Sequence, residues 1–181
     1  ETERAKVAAH GPGTGTTGTN YNFGVAGASS ETNRALGSLA SSSTGNRVIE
    51  ARFANNTGTT ITNLTVAYDG EQWRDGGGAG ANTLTMHISF DGVSFLPLTS
   101  ALTFTAPNDG VASALDGHAS TNRVAGLTGN YSATNVAAGA MFYLRWLDLN
   151  DPSADDGLAV DNFSLIVALQ TGTTNHWTAT G

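Results

Sequence analysis

The residues best suited to chemistry lie in one short stretch near the C-terminal end of the chain, DLNDPSADDGLAVD. It holds Asp148, Asp151, Asp155, Asp156 and Asp161 in a chain of which only 13% of residues are charged. Calcium prefers about six to eight oxygen ligands, and crowded carboxylates repel one another unless a cation or an arginine compensates. The five aspartates therefore predict a structural calcium site. The alternative is a solvated turn in which aspartates cap backbone groups.

A second candidate is the segment EQWR, where Glu71 and Arg74 flank Trp73 after an apolar run. An exposed tryptophan beside polar groups could stack on a sugar ring, which would make Glu71, Trp73 and Arg74 a carbohydrate-binding site. The other interpretation places Trp73 in the core and pairs Glu71 with Arg74. Trp146, which shares the alternation of its apolar neighbours, is predicted to be a core residue.

Other chemistries lack the residues they need. The absence of cysteine excludes disulfides, thiolate metal sites and a cysteine nucleophile. The four histidines are far apart in the sequence, so no zinc site is predicted. The motifs of serine hydrolases, nucleotide-binding loops and zinc proteases do not occur. We therefore expect a protein that is not an enzyme.

The charge of the chain excludes further classes. The net charge is −7 and the basic residues form no cluster, which argues against nucleic acid and an anionic membrane surface as partners. Hydrophobic stretches are too short for a membrane-spanning helix. The excess of Gly, Thr, Ser, Asn and Ala, with few Lys and Glu, indicates an extracellular or cell-surface protein.

The elements that must position these residues are β-strands, because apolar and polar residues alternate along most of the chain. In TLTMHISF, the residues Leu84, Met86, Ile88 and Phe90 are predicted to face inward. Asp91-Gly92 then predicts a two-residue hairpin turn. The fold class predicted is all-β, an antiparallel β-sandwich that is jelly-roll-like. The predicted divisions are an N-terminal arm and Gly/Thr linker (1–20), the β-sandwich domain (21–169) and a C-terminal tail (170–181).

Five segments carry a resemblance to a known module: RALGSL (34–39), NNTGTTITNLTVAYDGEQWRDGG (55–77), ALDG (114–117), FYLRWLD (142–148) and DDGLAVDNFSL (155–165). From Tyr21 to about Val167 the chain is similar to β-sandwich accessory domains of secreted bacterial proteins. These domains occur in cell-surface proteins with sorting signals and beside lamin-tail or extracellular-nuclease domains. The resemblance implies a secreted, non-catalytic module.

The termini suggest a role in assembly. Ala5, Val7 and Ala9 alternate as in a strand, and Trp177 gives the other tail one large apolar anchor. The segment before Tyr21 does not resemble the first strand of the module, which would leave a sheet edge for a neighbour to fill. We therefore expect a calcium-stabilised structural protein that forms a surface filament, tube or coat with copies of itself. The alternative is a calcium-stabilised carbohydrate-binding module with a polysaccharide as its partner.

Overall fold

The structure is a computed structural model, and it describes residues 14–25, 33–78, 80–132 and 135–171, together with the backbone of 9–11. The only helix in this part of the chain is one 3₁₀ turn, Ser100–Leu102. No described helix is long and apolar enough to span a bilayer. The strands are β1 (Ala9–Gly11), β2 (Thr19–Phe23), β3 (Ala35–Leu39), β4 (Arg47–Ala54), β5 (Ile61–Asp75), β6 (Thr83–Ser89), β7 (Leu96–Pro97), β8 (Phe104–Thr105), β9 (Ser113–Ala114), β10 (Arg123–Tyr131), β11 (Met141–Asp148) and β12 (Gly157–Leu169).

The strands form two sheets that pack face to face. The large sheet has seven strands in the order β1-β2-β3-β12-β5-β10, with β9 also paired to β5. The small sheet has five strands in the order β4-β11-β6-β7, with β8 also paired to β6. Strands β1 and β2 are parallel, whereas the other named pairs are antiparallel. The predicted antiparallel, jelly-roll-like β-sandwich is therefore confirmed.

The main core lies between the sheets and follows from the alternation of the sequence. In β11, Phe142, Leu144 and Trp146 are buried while the residues between them face outward. The Trp146 ring meets the Tyr68 ring of the large sheet edge-on, with 5.7 Å between centroids. Each such side chain contributes roughly 1.5–3 kcal/mol when it is fully buried. The prediction that Trp146 is a core residue is confirmed.

A second, smaller core covers the outer face of the large sheet at one end. Its rings stack in a row, with centroid distances of 5.0 Å from Tyr21 to Phe23 and 5.7 Å from Phe23 to Trp73. Glycine at position 37 makes this layer possible, because a Cβ there would lie 2.6 Å from the Phe23 ring. The sheet is therefore buried on both faces at this end. The six buried residues of this second core are Tyr21, Phe23, Ala35, Leu39, Trp73 and Ala159.

The chain around the end of β6 differs from the prediction in two ways. Phe90 was predicted to face inward, but it follows the last residue of β6 and is 43% exposed. The alternation of β6 therefore ends one position earlier than the sequence pattern suggested. The predicted two-residue turn is also wrong, because β6 ends at Ser89 and β7 begins at Leu96. Gly92 does adopt the positive φ that the turn signal requires, at +74°.

Candidate functional site

Four of the five predicted calcium ligands lie around the loop between β11 and β12, and each already accepts at least one hydrogen bond. Asp148 accepts a hydrogen bond of 2.8 Å from the Ser38 hydroxyl of the opposite sheet. Asp156 accepts bonds from the Gly76 N–H and the Gln72 side-chain amide. The remaining two bond as well: Asp155 accepts from the Asp151 N–H, and Asp151 accepts from the Asn82 amide.

Burial raises the pKa of three of these four carboxyls. The pKa of Asp148 rises to about 7, because the group is removed from water and, secondarily, because Asp155 lies nearby. The pKa of Asp156 rises to about 6, with burial as the largest cause and the charges of Asp75 and Asp109 adding to it. Burial also raises the pKa of Asp155. Ionised carboxylates in this loop are therefore costly without a compensating cation.

Asp161, the fifth predicted ligand, lies apart from the other four. It pairs with Asp69 in the large sheet, and its charge acts on Glu71 rather than on the loop. Among the described residues, no three or more His, Cys, Asp or Glu side chains converge as a metal site would require. A calcium ion would therefore need the loop carboxylates to rearrange, and calcium binding stays a prediction.

In the EQWR segment, Glu71 and Trp73 are buried in the interior, whereas Arg74 is half-buried at the surface. Trp73 is fully buried against Phe23, so it cannot stack on a sugar in this structure. Glu71 is also fully buried and accepts a 2.9 Å hydrogen bond from the Trp73 indole N–H. The predicted carbohydrate-binding site of Glu71, Trp73 and Arg74 is therefore wrong, because Trp73 belongs to the second core. Arg74 lines a cavity between β3, β5 and the acidic loop.

The predicted assembly residues lie mostly outside the described residues. Ala5, Val7 and Trp177 belong to parts of the chain that the structure does not describe. Ala9 begins β1, which pairs with β2 of the same chain, with Ala9 opposite Tyr21. The last residues of the arm thus add a strand to their own sheet.

Partly exposed rings gather instead beside β11 of the small sheet and at the end of β10 of the large sheet. Phe90 stacks on Tyr131 with 6.4 Å between centroids, and Phe90 and Met141 share a shallow cavity of about 270 Å³. Tyr143, two residues after Met141, lies on the same outward face of β11. Phe95 lies over the next outward side chain of that strand, Arg145. We call Phe90, Phe95, Tyr131 and Tyr143 the aromatic strip.

A charged pair with fixed geometry borders the aromatic strip. The Arg145 guanidinium donates two hydrogen bonds, of 2.9 and 2.7 Å, to one carboxylate oxygen of Glu50 on β4. Its central carbon lies 3.4 Å from the centre of the Phe95 ring, which is cation–π geometry. His87 lies directly opposite Arg145 on β6. The strip therefore has planar apolar surfaces beside oriented donors and acceptors.

The loop between β6 and β7 is held in place by Asp91. Its carboxylate accepts hydrogen bonds from the Val93 and Ser94 N–H groups and from the Ser89 hydroxyl. These bonds, with that of Ser94 the strongest cause, hold the pKa of Asp91 well below its usual range. Gly92 rests on Tyr143, where an added Cβ would lie 3.0 Å from the ring. The loop thus carries Phe95 to the sheet in a defined position.

The alternation in the sequence predicts which β11 residues of this site face outward. Alternation in MFYLRWLDL already separates buried Phe142, Leu144 and Trp146 from outward Tyr143 and Arg145. What the pattern could not supply was the pairing of β4, β11 and β6, which brings Glu50, Arg145 and His87 into one row.

No family model and no curated protein matches the sequence. A solved structure with a similar arrangement is TmCBM61, a carbohydrate-binding module in complex with β-1,4-galactotriose. The alignment covers 77% of this chain and 74% of that one, with 9% sequence identity and a TM-score of 0.40. This likeness is too weak to indicate what the present chain binds.

Proposed function

We propose that the protein is a secreted, non-catalytic module that binds polysaccharide through the aromatic strip. The observation that carries the proposal is a group of four partly exposed rings. Phe95 and Tyr143 lie beside the Arg145–Glu50 pair of the small sheet. Phe90 follows the residue that pairs with Tyr143 and stacks on Tyr131 of the large sheet. Ligand sites commonly combine apolar and aromatic surfaces with a few oriented polar groups. A surface of this composition suits sugars, which present both C–H faces and hydroxyls.

Each part of the strip has a distinct role in this proposal. Tyr143 and Phe90 provide flat surfaces on which the C–H face of a pyranose ring packs. Arg145 donates hydrogen bonds to sugar hydroxyls, and Glu50 accepts them. The mutual bonds of Arg145 and Glu50 fix both side chains before binding, which lowers the entropic cost of ordering them.

Affinity electrophoresis through gels that contain one polysaccharide each tests this proposal. Suitable polysaccharides are β-1,4-galactan, xylan, β-glucan and polygalacturonate. We expect at least one to retard the protein, and Tyr143→Ala to restore free migration. Circular dichroism controls for folding. Retardation by none of a broad panel, or equal retardation of wild type and Tyr143→Ala, would overturn the proposal.

Calcium binding by the loop between β11 and β12 remains a second proposal. The observation that favours it is the burial of Asp148, Asp155 and Asp156, none of which forms an ion pair with a described arginine or lysine. Buried charges are usually paired or bound to metals. The ion would be structural, because it would join the loop to both sheets.

A further inference from the structure

A second cavity lies where the acidic loop meets β3 and β5. It has a volume of about 290 Å³, which is near the lower limit for sites of small molecules and suits a single sugar residue. Its lining is rich in hydroxyl groups. The polar lining residues are Thr16, Ser41, Ser42, Arg74, Ser153 and Asp155.

The lining contains one half-buried positive charge, Arg74. Within the described residues, its guanidinium has no hydrogen bond and no ion pair with a carboxylate. Its charge acts on the hydroxyl of Tyr21, whose pKa is raised by burial and partly lowered again by Arg74. A half-buried guanidinium without a carboxylate is unusual, because charged groups removed from water are normally paired.

The backbone positions Arg74 toward this cavity. A register shift in the pairing of β5 with β12 places Arg74 opposite Gly157. An added Cβ at Gly157 would lie 3.0 Å from the Arg74 Cβ and 3.2 Å from the Phe23 ring. The glycine therefore leaves room for the Arg74 side chain to begin beside the Phe23 ring.

We propose that this cavity binds a sugar acid, with the ligand carboxylate on Arg74. The guanidinium fork matches a carboxylate with two parallel hydrogen bonds. Asp155 accepts from ligand hydroxyls, and the exposed hydroxyls of Thr16, Ser42 and Ser153 donate or accept. Asp155 also disfavours simple anions in this cavity. Its carboxylate repels an anion that has no hydroxyl group to donate a hydrogen bond to it.

This site is separate from the aromatic strip, and its proposal does not rest on that one. Arg74 belongs to β5 of the large sheet, and none of the four rings of the strip lines its cavity. If both proposals hold, an acidic polysaccharide could bind at either place, so a monosaccharide is the suitable probe here.

Titration of the full chain with sodium galacturonate, followed by ¹H–¹⁵N NMR, tests the proposal. We expect saturable shifts of the amide signals of residues 39–42 and 153–155. Galactose, which has the ring without the carboxylate, and acetate, which has the carboxylate without the ring, should each bind at least about tenfold more weakly. Loss of a charge-assisted pair should also make Arg74→Gln at least about tenfold weaker.

Phe163→Ala is the matched control, since Phe163 lies outside both the cavity and the strip and its truncation should leave galacturonate binding unchanged. Equal binding of galactose and galacturonate would overturn the role of Arg74. Acetate binding as tight as galacturonate binding would show that the cavity is an adventitious anion site only. An absence of shifts with galacturonate would refute the proposal. Should Arg74→Gln fail to fold, the comparison of the three ligands on the wild type still decides.

Discussion

Glu71 is a fully buried acid with one oxygen that has no partner, and it gives a sharp prediction about stability and pH. Its Oε2 accepts the Trp73 indole N–H, whereas Oε1 is buried without a hydrogen bond among the described residues. Burial, the largest cause, raises its pKa from 4.5 to about 7, with Asp161 and Asp69 adding to the rise. The Trp73 hydrogen bond and the Arg123 charge oppose it. The carboxyl is thus protonated in the folded protein at mildly acidic pH.

The sign of the pH dependence follows from this raised pKa. Between about pH 4.5 and 7 the folded protein keeps a proton that the unfolded chain has released, so stability falls as pH rises through this range. A pKa difference of about 2.5 corresponds to about 3 kcal/mol. This loss of folding stability is absent below pH 4.5, where both the folded and the unfolded state hold the proton, and it is complete above pH 7.

Glu71→Gln should remove this dependence, because a neutral amide of the same shape still accepts the Trp73 N–H. We expect equal stability of variant and wild type at pH 4, and at pH 8 a variant that is more stable by up to about 3 kcal/mol. Urea denaturation monitored by tryptophan fluorescence measures the stability of wild type and variant at each pH. Glu50→Gln is the matched control, since Glu50 is partly exposed and paired with Arg145 rather than fully buried. Parallel curves for wild type and Glu71→Gln from pH 4 to 8 would refute the reasoning.

Three other predictions concern the core, the acidic loop and the arm. Trp73→Ala should cost roughly 3–5 kcal/mol in urea denaturation, whereas a loss below about 1 kcal/mol would show that Trp73 is not a core residue in solution. A chelator should lower the melting temperature in scanning calorimetry, since a bound ion stabilises by about 2.7 kcal/mol at a hundredfold excess over Kd. The double variant Asp155→Ala, Asp156→Ala should lose that sensitivity, and an unchanged wild-type melting curve would leave the loop as a plain turn. If residues 1–8 mediate assembly, their deletion should reduce an oligomer to a monomer in analytical ultracentrifugation; a full chain that is already monomeric would contradict assembly.

Local alternation was sufficient to predict the fold class. In β11 each second residue is buried, and the burial of Trp146 follows directly from that period. The same rule failed at Phe90, because a strand boundary is set by pairing with a neighbour, and β6 is paired only as far as Ser89. Periodicity records which side of a strand a residue occupies but not where the strand ends.

The candidate sites were harder to predict, because each depends on contacts between distant segments. Trp73 faces away from the main core, and alternation alone would expose it. It is buried because β2 contributes Tyr21 and Phe23 to the same face of the sheet. Similarly, Arg145 meets Glu50 across 95 positions of sequence. Neither partner can be identified from a local pattern.

The aromatic strip is the surface on which the proposed polysaccharide binding depends most. Isothermal titration calorimetry with the polysaccharide that most retards the wild type, comparing Phe90→Ala with Phe163→Ala, tests this claim directly. The two rings are similarly exposed, at 43% and 36%, but Phe163 packs against Phe53 and Trp146 outside the strip. We expect Phe90→Ala to weaken binding at least about tenfold and Phe163→Ala to leave it within about twofold. Equal affinities for Phe90→Ala and the wild type, or a greater loss for Phe163→Ala in a folded protein, would contradict the account.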